Sequence, residues 1–159
     1  MKASAIVYTS TTGFTAQYAA LLSHQTGLPL CRLEEGDKLP RNIPVLYLGW
    51  LRAGRVVGLK KARNRLAVAG VCAVGLDSAA DLDKLRQGNH LEHIPLFFLR
   101  GGYDPARVRG VDKLMMAAME RILSGKSDPR SRAALEAVRR GANWVSQAQL
   151  EPVLDWLAG

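Results

Sequence analysis

Four apolar runs of strand length restrict the fold of this chain more than any other feature. They are nearly continuous and do not alternate between apolar and polar residues, as expected for strands covered by helices on both faces of a parallel sheet. Helical patterns fill most of the intervals between them, which is typical of right-handed βαβ connections. We therefore predict an α/β doubly wound sandwich. The runs are residues 3–9, 44–50, 68–76 and 94–100, with a weaker fifth run at 28–33.

The chain is long enough for one domain. With 159 residues and an apolar fraction of 48%, it can build a single core, so we predict one domain over residues 1–159. The last third departs from the strand and helix alternation and predicts extra C-terminal helices. The first of these, at residues 108–123, is rich in methionine. Its apolar positions suit either core packing or docking on a membrane, a partner or a second subunit.

The first apolar run is followed by a loop rich in hydroxyl groups. Ser10, Thr11, Thr12 and Gly13 separate the predicted strand from a helix that opens near Thr15. Such a junction gathers unpaired backbone N–H groups and the positive end of a helix dipole, which together bind anions. The chain lacks both the lysine of a triphosphate-binding P-loop and the G-x-G-x-x-G of dinucleotide-binding folds. A single phosphomonoester fits the loop best, and a helix cap that binds nothing is the alternative.

Three segments carry a family resemblance. The residues 10–15, S-T-T-G-F-T, resemble the flavodoxin phosphate loop S/T-x-T-G-x-T, which also lies between the first strand and the first helix. Residues 47–66 resemble the segment that closes over the flavin, and residues 97–123 are similar to a branch that includes the flavodoxin-type protoporphyrinogen oxidases. The resemblance implies a flavodoxin-like, five-stranded parallel sheet of order 2-1-3-4-5. It also implies FMN as the cofactor, bound between strands one and three.

The same resemblance implies which residues hold FMN. The hydroxyl loop would bind the phosphate, while the loops after the third and fourth strands would flank the isoalloxazine ring. Trp50 would stack on the ring or pack between strand and helix, with Tyr103 as a less favoured ring partner. Arg52 would contact the pyrimidine edge or remain solvated. The cofactor-binding residues so predicted are Ser10, Thr11, Thr12, Gly13, Phe14, Thr15, Gly49, Trp50, Leu51, Arg52, Ala53, Gly54, Leu76, Asp77 and Ser78.

Positive charge distinguishes this chain from ordinary flavodoxins, which are acidic electron carriers. The net charge is +8, and residues 52–65 contain six cations without an acidic residue. Residues 52–65 and 100–113 would attract a carboxylate-bearing small molecule, an acidic redox partner or, by peripheral association, an anionic membrane. Nucleic acid is not an expected partner. A solvated basic face with no partner is the alternative.

Three functional hypotheses follow. The first is an FMN-dependent oxidoreductase that acts on an anionic substrate or an acidic partner. The second is a non-catalytic FMN electron carrier, and the third is a flavodoxin fold without flavin that serves as a binding module. No catalytic side chains are predicted, because the flavin would carry the chemistry.

The cysteines and histidines indicate neither a metal site nor a disulfide. Cys31 and Cys72 lie in separate apolar runs and lack the spacing of a metal or redox pair, and the three histidines show no ligand spacing. Free thiols suit a reducing compartment. No apolar stretch has the length of a signal peptide core or a membrane span, so we expect a cytoplasmic protein, with peripheral contact to the inner membrane face left open.

Overall fold

The computed structural model describes residues 1–159 and contains a six-stranded sheet, a two-stranded ribbon and six α-helices. No helix is both long enough and apolar enough to cross a bilayer. The strands are β1 (Ala5–Tyr8), β2 (Leu30–Arg32), β3 (Pro44–Arg52), β4 (Arg55–Val56), β5 (Ala67–Gly75), β6 (Leu96–Arg100), β7 (Gly102–Tyr103) and β8 (Ala142–Asn143). The helices are α1 (Phe14–Thr26), α2 (Leu59–Arg65), α3 (Leu82–Gly88), α4 (Gly110–Ser124), α5 (Pro129–Arg140) and α6 (Glu151–Ala158), and 3-10 turns cover Leu33–Lys38 and Gln147–Leu150.

The main sheet is mostly parallel, as the continuous apolar runs predict. Its strand order is β2-β1-β3-β5-β6, and all four of these pairings are parallel. The α/β class with helices around a parallel sheet is therefore confirmed. The order in chain numbering differs from the expected 2-1-3-4-5, because the two-residue strand β4 intervenes and pairs antiparallel with the end of β3. The sequence pattern does not reveal β4, because a strand of two residues has no periodicity of its own, and α2 begins only at Leu59.

Helices cover both faces of this sheet. On one face, α1 and α6 bury Tyr18, Leu22 and Leu157. On the other face, α2 and α3 bury Leu59 and Leu85. Successive strand residues point to opposite faces, so each strand supplies both cores and must be apolar along its whole length. This is the physical reason for the continuous runs in the sequence.

The region between β7 and β8 leaves the sandwich. The two strands pair antiparallel and close the base of this excursion. Within it, α4 packs against α5, and Arg139 Nε lies 2.8 Å from Glu120 Oε1 across the pair. We call residues 107–140 the α4–α5 hairpin. None of the residues of α4 is buried, so the core-packing interpretation of the methionine-rich helix is wrong.

Candidate functional site

The hydroxyl loop joins the carboxyl end of β1 to the first turn of α1. Gly13 has a φ of 96°, which glycine adopts without penalty, and no side chain caps the helix. Ser10 Oγ accepts a hydrogen bond from Gly13 N at 3.2 Å. The N–H groups of Thr11, Thr12, Phe14 and Thr15 have no acceptor in the protein. The loop therefore gathers unpaired donors at the positive end of a helix dipole, as predicted for an anion site.

The first two residues of α1 have different surroundings. Thr15 is only 2% exposed, and its hydroxyl has no hydrogen-bond partner in the protein. Since every fully buried side-chain oxygen or nitrogen has a partner, the Thr15 hydroxyl must still reach the surface of the loop. Phe14 is buried against the backbone of Gly101 and Gly102, where a Cβ on Gly102 would lie 2.5 Å from Phe14 Cε1. The Phe14 side chain thus anchors the loop, and only its N–H is left to bind a ligand.

Tyr47 ties the start of the loop to the residue after β4. Its hydroxyl oxygen lies 2.6 Å from Val57 O and 2.9 Å from Thr9 Oγ1. Because a carbonyl can only accept, the single Tyr47 proton goes to Val57, and Thr9 donates to Tyr47. Burial raises the pKa of Tyr47 to about 12. This buried phenol holds two loops at the same edge of the sheet.

Arg107 brings a positive charge to the hydroxyl loop from the α4–α5 hairpin. Its Nη1 donates to Thr12 O at 3.1 Å, and a Cβ on Gly13 would lie 3.0 Å from it. Its Nε also lies 3.4 Å from Asp104 Oδ2. The sequence pattern placed Arg107 only in the basic stretch 100–113, and it could not predict the contact with Thr12, which is 95 positions away in the chain. The hydroxyl loop contains no Lys or Arg of its own, but the fold brings the Arg107 guanidinium next to it.

Trp50 and Arg52 lie near the end of β3, on the face that α1 covers. The Arg52 guanidinium carbon lies 5.9 Å from the centroid of the Trp50 ring. The Arg52 guanidinium also forms a bidentate pair with Asp112 of α4: Nε donates to Oδ1 at 2.6 Å and Nη2 donates to Oδ2 at 2.8 Å. The hydrogen bond to Asp112 raises the pKa of Arg52 and offsets its charge. The α4–α5 hairpin thus contacts both the hydroxyl loop and the end of β3.

Other residues predicted around the flavin ring pack within the fold. Gly49 and Leu51 lie on the opposite face of β3 from Trp50, where Leu51 joins the core under α2. Gly49 permits a close approach of chains, since a Cβ there would lie 2.6 Å from Val57 O. Tyr103 lies in β7, and burial raises its pKa. The structure brings the Trp50 side chain, but not that of Leu51, to the face of the hydroxyl loop.

The turn between β3 and β4 is held by a buried amide that the sequence analysis missed. Ala53 and Gly54 have φ values of 50° and 77°, the left-handed pair of a tight hairpin turn. Asn89 is 9% exposed, and its Oδ1 accepts from Val56 N at 2.8 Å. Its Nδ2 donates to Gly54 O and to Leu85 O, both at 2.9 Å. Asn89 therefore fixes the turn to the end of α3.

The loop after β5 is anchored by an arginine. Leu76 is half-buried, whereas Asp77 and Ser78 are exposed. Arg100 Nε donates to Leu76 O at 3.1 Å, and the Arg100 guanidinium carbon lies 3.7 Å from the centroid of the Trp144 ring. Arg100 and Trp144 were not among the predicted site residues. They hold the loop next to the carboxyl end of β6.

The basic segment at residues 52–65 is partly neutralised. Arg65 Nη1 lies 3.6 Å from Asp37 Oδ1, and Arg63 donates to His90 O at 2.8 Å. Arg55, Lys60, Lys61 and Arg63 are in no ion pair, and the first three make no side-chain hydrogen bond either. An open pocket of about 540 Å³ beside them contains no residue of the hydroxyl loop, and is lined by Val56, Gly58, Lys60, Lys61, Asn64 and Arg65.

The structure holds no group of three or more His, Cys, Asp or Glu side chains that could bind a metal ion. Comparisons with protein-family models, with known proteins and with solved structures found no match for this chain.

Proposed function

We propose that this protein is a flavodoxin-like redox protein that binds FMN, with the phosphate in the hydroxyl loop. The observation that supports this most strongly is the set of unpaired N–H groups of Thr11, Thr12, Phe14 and Thr15 at the carboxyl end of β1. When β4 is set aside as a hairpin extension, the five parallel strands follow the order 2-1-3-4-5. In that order, the connections from strands one and three diverge beside the loop, and ligands bind at such a point.

The donors of the loop match a terminal phosphate. The four unpaired N–H groups and the Thr12 and Thr15 hydroxyls would donate to its oxygens, and Gly13 allows the backbone to approach closely. Arg107, already hydrogen-bonded to Thr12 O, would offset the phosphate charge. Riboflavin lacks the phosphate and would leave these donors unpaired. The loop is thus expected to select the phosphorylated flavin.

The ring would lie between the end of β3 and the loop after β5. Trp50 offers a half-exposed aromatic face on the side of the hydroxyl loop. Asn89 and Arg100 hold the two flanking loops through Gly54 O and Leu76 O. When bound, the flavin supplies the redox chemistry, and the protein positions the ring and its charges. This division of roles explains why no acid and base pair is needed.

We infer an oxidoreductase acting on an anionic substrate or an acidic partner. Arg55, Lys60 and Lys61 stand outside every ion pair at the β4 and α2 edge, so their charge is available to an approaching anion. Flavin reduction or reoxidation that requires a small molecule would indicate an enzyme. Exchange of electrons with an acidic protein alone would indicate a carrier.

Substitutions in the hydroxyl loop test the cofactor site. Thr12→Val with Thr15→Val removes two hydroxyl donors to a charged phosphate, each worth about 1.5–3 kcal/mol, so FMN affinity should fall at least tenfold by calorimetry. Thr26→Val is the matched control, because it makes the same change at the other end of α1. Equal FMN affinity in the double variant and the control would contradict the proposed site.

Charge reversal tests the partner. Arg55→Glu with Lys60→Glu should slow electron exchange with an anionic partner and leave FMN affinity nearly unchanged, since neither residue lies in the hydroxyl loop. The defect should shrink as salt rises from about 0.01 to 0.5 M, because screening removes steering from the unmodified protein as well. If the rate of electron exchange changes neither with the substitutions nor with the salt concentration, these cations form a solvated face without a partner.

A further inference from the structure

The α4–α5 hairpin presents an apolar stripe to the surroundings. Val111, Leu114 and Ile122 are 61%, 73% and 63% exposed, and Met115 and Met119 are 37% and 42% exposed. At about 100° per residue these positions cover one face of α4 over nearly three turns. The half-buried residues of α4 include Met116, Glu120 and Leu123, and Glu120 pairs with Arg139 of α5, so the exposed stripe lies on a different face from the one that meets α5.

The hairpin that carries the stripe is strongly basic. The hairpin contains nine Lys and Arg residues and four Asp and Glu residues, which gives 9 − 4 = +5 of the +8 carried by the chain. Three of the acidic residues are already paired, namely Asp112 with Arg52, Glu120 with Arg139 and Glu136 with Arg140. The cations in no ion pair lie before, along and after α4 and on α5; they are Arg109, Lys113, Arg121, Lys126, Arg130 and Arg132.

We propose that the α4–α5 hairpin docks on an anionic lipid bilayer, with the α4 stripe inserted among the headgroups. An amphipathic helix with large aliphatic side chains on one face and Lys and Arg beside them lies in the plane of a membrane surface. Unpaired cations near such a surface each strengthen binding about fivefold. The docking needs no bound cofactor and so does not depend on the proposed function.

The charge and the size of the surface favour lipid over a second copy of the chain. Two hairpins of +5 each would repel one another when apposed. The stripe also offers few side chains, whereas a stable protein interface uses about 20–30 residues on each side. The unpaired cations are spread over the whole hairpin. An anionic membrane surface can contact more of them at once than a small acidic patch on a protein can.

Docking with the α4 stripe on the membrane would bring the candidate site close to the membrane surface. The hairpin contacts the hydroxyl loop through Arg107 and Thr12 O, and the end of β3 through Asp112 and Arg52. A reaction partner dissolved in the bilayer would therefore meet the same edge of the sheet that carries the proposed cofactor.

Vesicle cosedimentation of the full chain, with and without FMN, tests the proposal. The unmodified protein should bind phosphatidylcholine vesicles that contain about 30% phosphatidylglycerol and should not bind pure phosphatidylcholine vesicles. Leu114→Ser with Ile122→Ser should weaken binding at least tenfold, because the apolar insertion is lost. Arg121→Gln with Lys126→Gln should do the same. Each variant changes exposed residues, so folding is preserved.

Two controls carry the same chemical changes outside the hairpin. Leu30→Ser alters an exposed leucine of β2, and Lys2→Gln with Arg41→Gln removes two exposed cations that precede β1 and β3, outside both basic segments. Both should bind within twofold of the unmodified protein. Equal losses in the two charge variants would show general attraction and overturn the proposal. So would absence of vesicle binding, or a dimer in sedimentation velocity that Leu114→Ser with Ile122→Ser abolishes.

Discussion

Two helices of similar length, α1 and α4, carry similar numbers of apolar residues but differ in how much of their surface is buried. Helix α1 buries five residues, among them Tyr18 and Leu22 in the core on β1 and β3. Helix α4 buries none, and its attachments to the sandwich are polar: Arg52 pairs with Asp112, and Arg107 of the same hairpin donates to Thr12 O. Helical periodicity alone therefore does not determine which face of a helix is buried.

This difference indicates that the residues that stabilise the fold and the residues that face the surroundings lie in different parts of the molecule. The sandwich is held by two apolar cores, one on each face of the sheet. The hairpin keeps its apolar stripe exposed and touches the site by charged and backbone groups. We infer that the sandwich supports the site, while the hairpin connects the site to what lies outside it.

The largest effect should come from equal truncations on the two helices. Leu22→Ala in α1 removes a fully buried side chain and should lower the free energy of unfolding by about 2–5 kcal/mol. Leu114→Ala in α4 removes a side chain that is 73% exposed and should change it by about 0.5 kcal/mol or less. Urea denaturation measures both. Comparable losses would show that α4 is packed in solution and would break the comparison.

Alkaline pH should weaken the sandwich through Tyr47. Its pKa is raised from 10.0 to about 12, so the folded state holds this proton more tightly than the unfolded chain. The associated stability is fully present below pH 10 and is lost as the pH rises through about 12, and two pKa units correspond to roughly 3 kcal/mol. Tyr47→Phe should flatten the fall in stability between pH 10 and 12. An unchanged pH profile in the variant would exclude Tyr47 as its source.

The smallest effect is expected at the junction of hairpin and sandwich. Asp112→Asn breaks the bidentate pair with Arg52, whose side chains are 41% and 26% exposed for arginine and aspartate, and should cost less than about 1 kcal/mol globally. Hydrogen exchange in the first turn of α4 should nevertheless rise severalfold, while α1 stays unchanged. Asp83→Asn, in an exposed pair with Arg86, is the matched control. Equal exchange in both variants would show that the pair does not hold the hairpin.

Much of the fold could be predicted because its determinants are local. The apolar runs mark the strands, and the hydroxyl cluster marks the junction of β1 and α1, where the structure places it. The start of the basic segment was less predictable. Strand β4 has only two residues and depends on pairing with β3, which no local pattern reveals.

The missed site residues share long chain separations. Arg107 is 95 residues from Thr12, Asp112 is 60 from Arg52, and Asn89 is 35 from Gly54. Side chains of these types occur throughout any sequence, and only the fold brings particular ones together. The exposure of α4 was unpredictable for the same reason, since periodicity does not say whether another element covers a face.

The most direct test of the central claim is the affinity for FMN measured against that for riboflavin. Calorimetry with the purified chain should give FMN binding at least about a hundredfold tighter, because two or more charge-assisted hydrogen bonds of roughly 1.5–3 kcal/mol each go to the phosphate. Equal affinity for the two flavins would mean that the unpaired N–H groups of Thr11, Thr12, Phe14 and Thr15 do not hold a phosphate. The proposed cofactor site would then be wrong.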